Sequence, residues 1–264
     1  MKRADAYDLI DHTAKEISAD GGKFQQYLDV QTKFDRYSAG NALLITAQMP
    51  NATQFKDFDG WKENGASIKK QQKGITILEP GEEYTREDGS VGVSYNVKKV
   101  FDVSQTTSTA KSQPTVNRDE RILLSALINK RTVPIQSVDD IPNNMGAYYD
   151  HENKVILVRK GMDAPDIFRS VAQELAHADF ASKNENYTRS SAGFNAYCVS
   201  YMLCKKNGFD VKNYDFSELP DNIRQADAQS VRAQLSDVRE TMSDISSKMS
   251  KALENTKPSK EQER

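Results

Sequence analysis

Residues 36–80 read RYSAGNALLITAQMPNATQFKDFDGWKENGASIKKQQKGITILEP, and the rest of the chain is organised around this run. After Ser38, the residues Ala42, Leu43, Ile45 and Ala47 recur at helical spacing. The stretch Ser38 to Gln48 is therefore expected as a short buried helix with Ser38 as its N-cap. Pro50 and Asn51 break it. Three aromatics follow among polar neighbours: Phe55, Phe58 and Trp61, the single tryptophan. Lys69, Lys70 and Lys73 then form a basic cluster, and Gly74 leads into an apolar strand from Ile75 to Leu78. Rings beside flexible lysines suit a single-stranded nucleic acid, whose bases stack while ammonium groups neutralise phosphates. The same pattern also describes core rings beside a solvated turn, and residue types alone do not choose between the two.

Upstream, Leu9, Ile10, Ala14 and Ile17 share one side of a helix expected over Ala4 to Ser18, which Gly21 and Gly22 end. A second helix is expected over Lys23 to Tyr37. Downstream, Asp88-Gly89 marks a hairpin turn, and a strand from Val91 to Val103 completes a small sheet against three helices. The polar, unpatterned run SQTTSTAKSQPTVN at Ser104 to Asn117 reads as a linker. Beyond it come a helix from Arg118 to Lys130, strands at Val133–Val138, Gly146–Asp150 and Lys154–Val158, and helices at Ala164–Ser182 and Ser190–Gly208.

The expected fold class is α+β: a helical N-terminal domain with a small sheet, a second α+β domain and a C-terminal helix. At 264 residues the chain has room for two domains, each with its own core. It is 28% charged with a net charge of −2, so it is no polycation, and any nucleic-acid site must be a local patch. The start MKRADAYDLIDHTAKE holds no signal-peptide core and no apolar run has the length of a membrane span. Cys198 and Cys204 share one expected helix without metal-type spacing, so reduced thiols in a cytoplasmic protein are expected.

The ordered residues YSxxNxLLIxAQxPxAT, then FxxWxxxGxxIKKxxKGIxIL, then VFDVSQT at Val100 to Thr106, resemble the N-terminal domain of ArdC-type antirestriction proteins, which LtrC-like proteins of conjugative elements share. The resemblance spans Lys23 to Thr106 and implies single-stranded DNA binding. Its expected DNA-binding residues are Arg36, Tyr37, Asn41, Phe55, Trp61, Lys69, Lys70 and Lys73.

Val171 to Phe180 reads VAQELAHADF. A zincin helix places histidines at i and i+4 on one metal, with the Glu after the first as general base. Here Glu174 and His177 stand where the base and second histidine belong, but Gln173 takes the first histidine's place. The element order resembles the metallopeptidase-like domain of ArdC proteins and the ImmA/IrrE type. That resemblance implies a third ligand from the next helix, four residues before Tyr197, where this chain has Gly193. The other histidines, His12 and His151, are not spaced to substitute. The reading is a zincin-like pseudoenzyme with no cofactor and no metal, in which Glu174 and His177 are vestigial. An active metal-dependent peptidase, or a protein-interaction module using the groove and tail, are the alternatives.

Pro220 and Asp221 open a tail helix expected to run to Leu253, in which Val231, Leu235, Val238, Met242, Ile245, Met249 and Ala252 follow steps of four and three. So short a seam either dimerises weakly or folds back on the body. A weak homodimer through this helix is the expectation carried forward. Thr256 to Arg264 reads as a frayed end. The domains expected are thus 1–106, a linker 107–117, 118–216, and a tail 217–264.

Overall fold

The computed structural model describes residues 1–109, 119–129, 131 and 133–255. The chain divides into two compact units, Met1–Pro114 with Phe216–Ala233, and Thr115–Asp215 with Gln234–Arg264. The expected linker lies outside the described residues from 110 onward, as does the expected frayed end at 256–264.

The first unit begins with α1 (Arg3–Ala19), α2 (Gly21–Lys33) and α3 (Ala39–Gln48). Ala6, Ile10, Ala14 and Ile17 bury one stripe of α1, and α3 is buried along most of its length from Ala39 to Thr46. Gly21 and Gly22 do not end a helix; they open α2. Asp20 caps it by accepting a hydrogen bond from the Lys23 N–H at 2.9 Å. A Cβ on Gly21 would lie 1.7 Å from the Phe216 carbonyl oxygen, so only glycine admits this close return of the chain. Ser38 caps α3 as expected, accepting from the Asn41 N–H at 3.2 Å.

Next come β1 (Phe55–Lys56), the one-and-a-half-turn α4 (Phe58–Glu63), β2 (Ile75–Thr85) and β3 (Val91–Asp102), in an antiparallel sheet of order β1-β3-β2. Neither β1 nor α4 is expected from sequence, because a two-residue strand and a six-residue helix are too short to show a period. β2 runs seven residues past Leu78, to Thr85: its inner end is buried, whereas its outer end is paired to β3 but exposed. A ladder continues wherever its backbone groups find partners, whether or not the side chains are apolar.

The second unit holds α5 (Glu120–Ile128), β4 (Ile135–Val138), β5 (Ala147–Asp150), β6 (Val155–Arg159), α6 (Ala164–Lys183) and α7 (Arg189–Lys206). The two ends of the expected α5, Arg118 and Lys130, lie outside the described residues. The sheet has order β4-β6-β5, with β4 parallel and β5 antiparallel to the central β6. Helix α6 packs against β5, β6, α5 and α7, and its Phe168 stacks on Phe209 at 4.2 Å between ring centroids. Cys198 and Cys204 are free and buried in α7.

The tail is two helices, not one: α8 (Asp221–Arg224) and α9 (Ala228–Asn255). Between them Asp227 accepts from the Ser230 N–H at 2.7 Å and restarts the helix. Residues of α9 through Ala233 count with the first unit and the remainder with the second. Leu235, Val238, Met242, Ile245 and Met249 are all at most 5% exposed within the single chain. The seam therefore folds back, and this correction removes the surface that the expected homodimer needed. Thr241 fastens it by donating to Asp179 at 2.6 Å.

Candidate functional site

In the first unit, most polar residues of the central run knit the backbone together. β2 is an edge strand, and α3 closes that edge with side-chain amides. Asn41 donates to the Leu78 carbonyl at 2.7 Å and accepts from the Leu78 N–H at 2.8 Å. Gln48 does the same for Thr76, with both bonds at 2.9 Å. Each primary amide thus supplies the donor and acceptor that a neighbouring strand would offer. Asn41 is 7% exposed and serves this edge, so its expected place in a DNA surface is corrected.

Trp61 is corrected for a similar reason. It is 2% exposed, donates its indole N–H to the Phe101 carbonyl at 2.8 Å, and lies under the Lys56 ammonium at 5.6 Å. A buried ring offers no face to a base. Its neighbour Phe58 does: this first residue of α4 is 58% exposed, which sequence spacing alone does not reveal.

The lysine cluster is braced from behind by the VFDVSQT segment. Asp102, buried at the end of β3, accepts from the N–H groups of Thr53, Gln54 and Ser104. These backbone donors outweigh the burial that would otherwise raise its pKa, and hold its carboxyl below the usual carboxylate range. Gln105 donates to the Lys73 carbonyl at 2.9 Å, and Lys69 is tied twice: its N–H to Gln105 O and its ammonium to Ser104 O, both at 2.9 Å. Gln71, at φ 62, bends the loop through the left-handed region. Lys69, Lys70 and Lys73 consequently stand exposed on a fixed turn. Phe101, whose backbone pairs with Lys56, packs its ring where a Cβ on Gly74 would come within 3.0 Å. β1 and the lysine turn thereby share one end of β3.

Of the remaining expected residues, Arg36 is exposed and Tyr37 half-buried. Phe34 stacks on Phe55 at 4.9 Å and meets Tyr37 edge-on at 6.0 Å, so Phe55 and Tyr37 form one aromatic cluster. Lys98, nearby in sequence to the β3 end, is neutralised by Asp57 at 3.0 Å and Glu79 at 3.1 Å.

In the second unit, the QELAH segment lies mid-way along α6. Glu174 is 2% exposed and three bonds reach its carboxylate. Arg189, first residue of α7, donates Nη2 to Oε1 and Nη1 to Oε2, both at 2.7 Å, and the Tyr149 N–H of β5 donates to Oε2 at 2.7 Å. The Arg189 guanidinium also lies 4.8 Å from the Tyr148 ring centre. His177, 1% exposed, has its Nδ1 3.0 Å from the Tyr187 hydroxyl. Burial, helped by the Arg189 charge, pushes the His177 pKa down to about 3, so the imidazole is neutral. Burial pushes Tyr187 up to about 12.

Residues 10–122 match the N-terminal domain of anti-restriction factor ArdC. Over this span the chain is of the ArdC type. The match begins upstream of Lys23 and so takes in part of α1 as well as the three sequence blocks. Among solved structures, the metal-free crystal structure of the antirestriction protein ArdC from plasmid R388 superposes with a TM-score of 0.58 at 17% identity, covering 95% of this chain and 99% of that one. Its Mn(II)-bound structure gives 0.55 at 16% identity, covering 84% and 86%. At such identities the likeness is one of fold, and it extends over the whole α+β architecture. No curated protein matches the sequence.

The Mn(II)-bound neighbour raises the question of whether the second unit could hold a metal. The residues present do not fit a divalent ion. Gln173 offers only an amide oxygen, Glu174 has both oxygens on Arg189, and Gly193 has no side chain, so His177 is left as a single imidazole donor. Among the described residues, no group of three or more His, Cys, Asp or Glu is placed to hold a metal ion. Nor, among them, is any helix long and apolar enough to cross a membrane.

Proposed function

We propose that the protein is a single-stranded DNA-binding accessory factor of a mobile element, acting in the cytoplasm to protect transferred DNA, as an antirestriction protein would. The observation that carries this reading is the braced turn that presents Lys69, Lys70 and Lys73 to solvent on an ArdC-type domain. Three ammonium groups on a fixed turn meet a phosphate chain with little ordering left to do, and the exposed ring of Phe58 offers a base a stacking face. Arg36, with the Tyr37–Phe55 cluster, extends the proposed surface. A chain of net charge −2 favours such a local patch over indiscriminate coating of duplex DNA. In this reading the second unit is a scaffold without peptidase chemistry, since both carboxylate oxygens of Glu174 are bonded to Arg189.

The test is a fluorescence-polarisation titration of the full chain with single- and double-stranded oligonucleotides of one sequence across a salt series. Tighter binding of the single strand, weakening steeply with salt, is expected. Equal affinity for both forms, or none for either, overturns the proposal.

A further inference from the structure

Burying a carboxylate as completely as Glu174 is costly unless a cation or a set of N–H donors sits against it. In a zincin the metal ion and its bound water lie beside the corresponding Glu. Here the cation is part of the chain. We infer that Arg189 is a built-in replacement for the metal ion: its guanidinium closes the former metal site as a fixed ion pair and excludes divalent cations from it.

The geometry is that of a designed contact. Two parallel bonds at 2.7 Å join the guanidinium to both carboxylate oxygens, the arrangement in which arginine binds carboxylates most strongly. The Tyr149 N–H takes a further lone pair of Oε2, so one carboxylate joins α6, α7 and β5. Tyr148 covers the guanidinium with its ring. The arginine is also placed by its helix, for Thr188 caps α7 by accepting from the Ser191 N–H at 3.2 Å, which sets Arg189 as the first helical residue.

Crowding at the Cβ does not explain the ligand missing at Gly193. Gly193 follows Arg189 by one helical turn on the same face, and a Cβ built there meets no atom within 4 Å. A Cβ has room at Gly193; the place of the positive partner of Glu174 is filled by Arg189. This inference is independent of the DNA-binding reading, because it concerns only residues of the second unit.

Equilibrium dialysis of the full chain against Zn(II) and Mn(II), with metal counted per chain, tests it on three proteins: the wild type, Gln173→His, and Gln173→His/Arg189→Gln. The second substitution keeps a hydrogen-bond donor beside Glu174 while removing the charge. Wild type is expected to retain no metal, and the double variant to bind at least ~10-fold more tightly than Gln173→His, whose binding is expected to be weak or nil. Equal binding by the single and double variants overturns the inference. A second measurement stands whether or not the double variant folds: the wild-type melting temperature should be the same in EDTA and in excess Mn(II). A rise with Mn(II) overturns the inference too.

Discussion

The two units use polar side chains in opposite ways. In the first, what goes inside is held by backbone: Asn41 and Gln48 close the β2 edge, Gln105 braces the lysine turn and the buried Asp102 carboxylate accepts from N–H groups, while the ammonium groups of Lys69, Lys70 and Lys73 stay outside. In the second, the buried Glu174 carboxylate is held by a charge, the half-buried guanidinium of Arg189. An amide satisfies a buried backbone without a net charge to desolvate, whereas a buried ion demands either several N–H donors, as at Asp102, or a counter-ion, as at Glu174. The comparison teaches where partner chemistry belongs. Charge left outside on a rigid turn is available to a ligand; charge paired inside is committed to the fold.

Four experiments press on that contrast, beginning with the largest effect. Glu174→Ala leaves a half-buried guanidinium and the Tyr149 N–H without their acceptor, and should destabilise the second unit by about 3–5 kcal/mol in chemical denaturation. A loss under about 1 kcal/mol, the range of surface pairs, would show that the ion pair is not structural. Replacing Lys69, Lys70 and Lys73 together by Ala should cut the slope of log affinity against log salt for single-stranded DNA by about two units, at ~0.7 per phosphate contact. Thermal melting should be unchanged by that triple variant. An unaltered slope removes the turn from the interface.

Asn41→Ala unpairs the Leu78 N–H and carbonyl and should cost about 2–3 kcal/mol of stability, with DNA affinity of the remaining folded protein intact. Affinity lost without any loss of stability would return Asn41 to the binding surface. Phe58→Ala is expected to move stability by less than about 0.5 kcal/mol, because the ring is exposed. It should weaken single-strand binding by about 1–2 kcal/mol if one base stacks there. Trp61→Ala is its control, lowering stability through a core cavity instead.

What the sequence determined by itself was local. Apolar spacing is a property of the chain, so α1, α3, α6, α7 and the strands of the second unit were legible to within a few residues, as was the Ser38 cap. The residues that resemble ArdC were also legible, and so was the absence of a histidine at Gln173. What only the tertiary structure decided was where each polar side chain ends. Asn41 and Trp61 reach backbone 37 and 40 positions away, and Glu174 meets an arginine 15 residues on, after a helix end and a turn. The same holds for the seam of α9, whose spacing is equally good for a second copy or for its own body. Hydrogen bonds and burial between distant segments carry no period, so no window along the chain reveals them. They exist only once the backbone has brought donor and acceptor within about 3 Å.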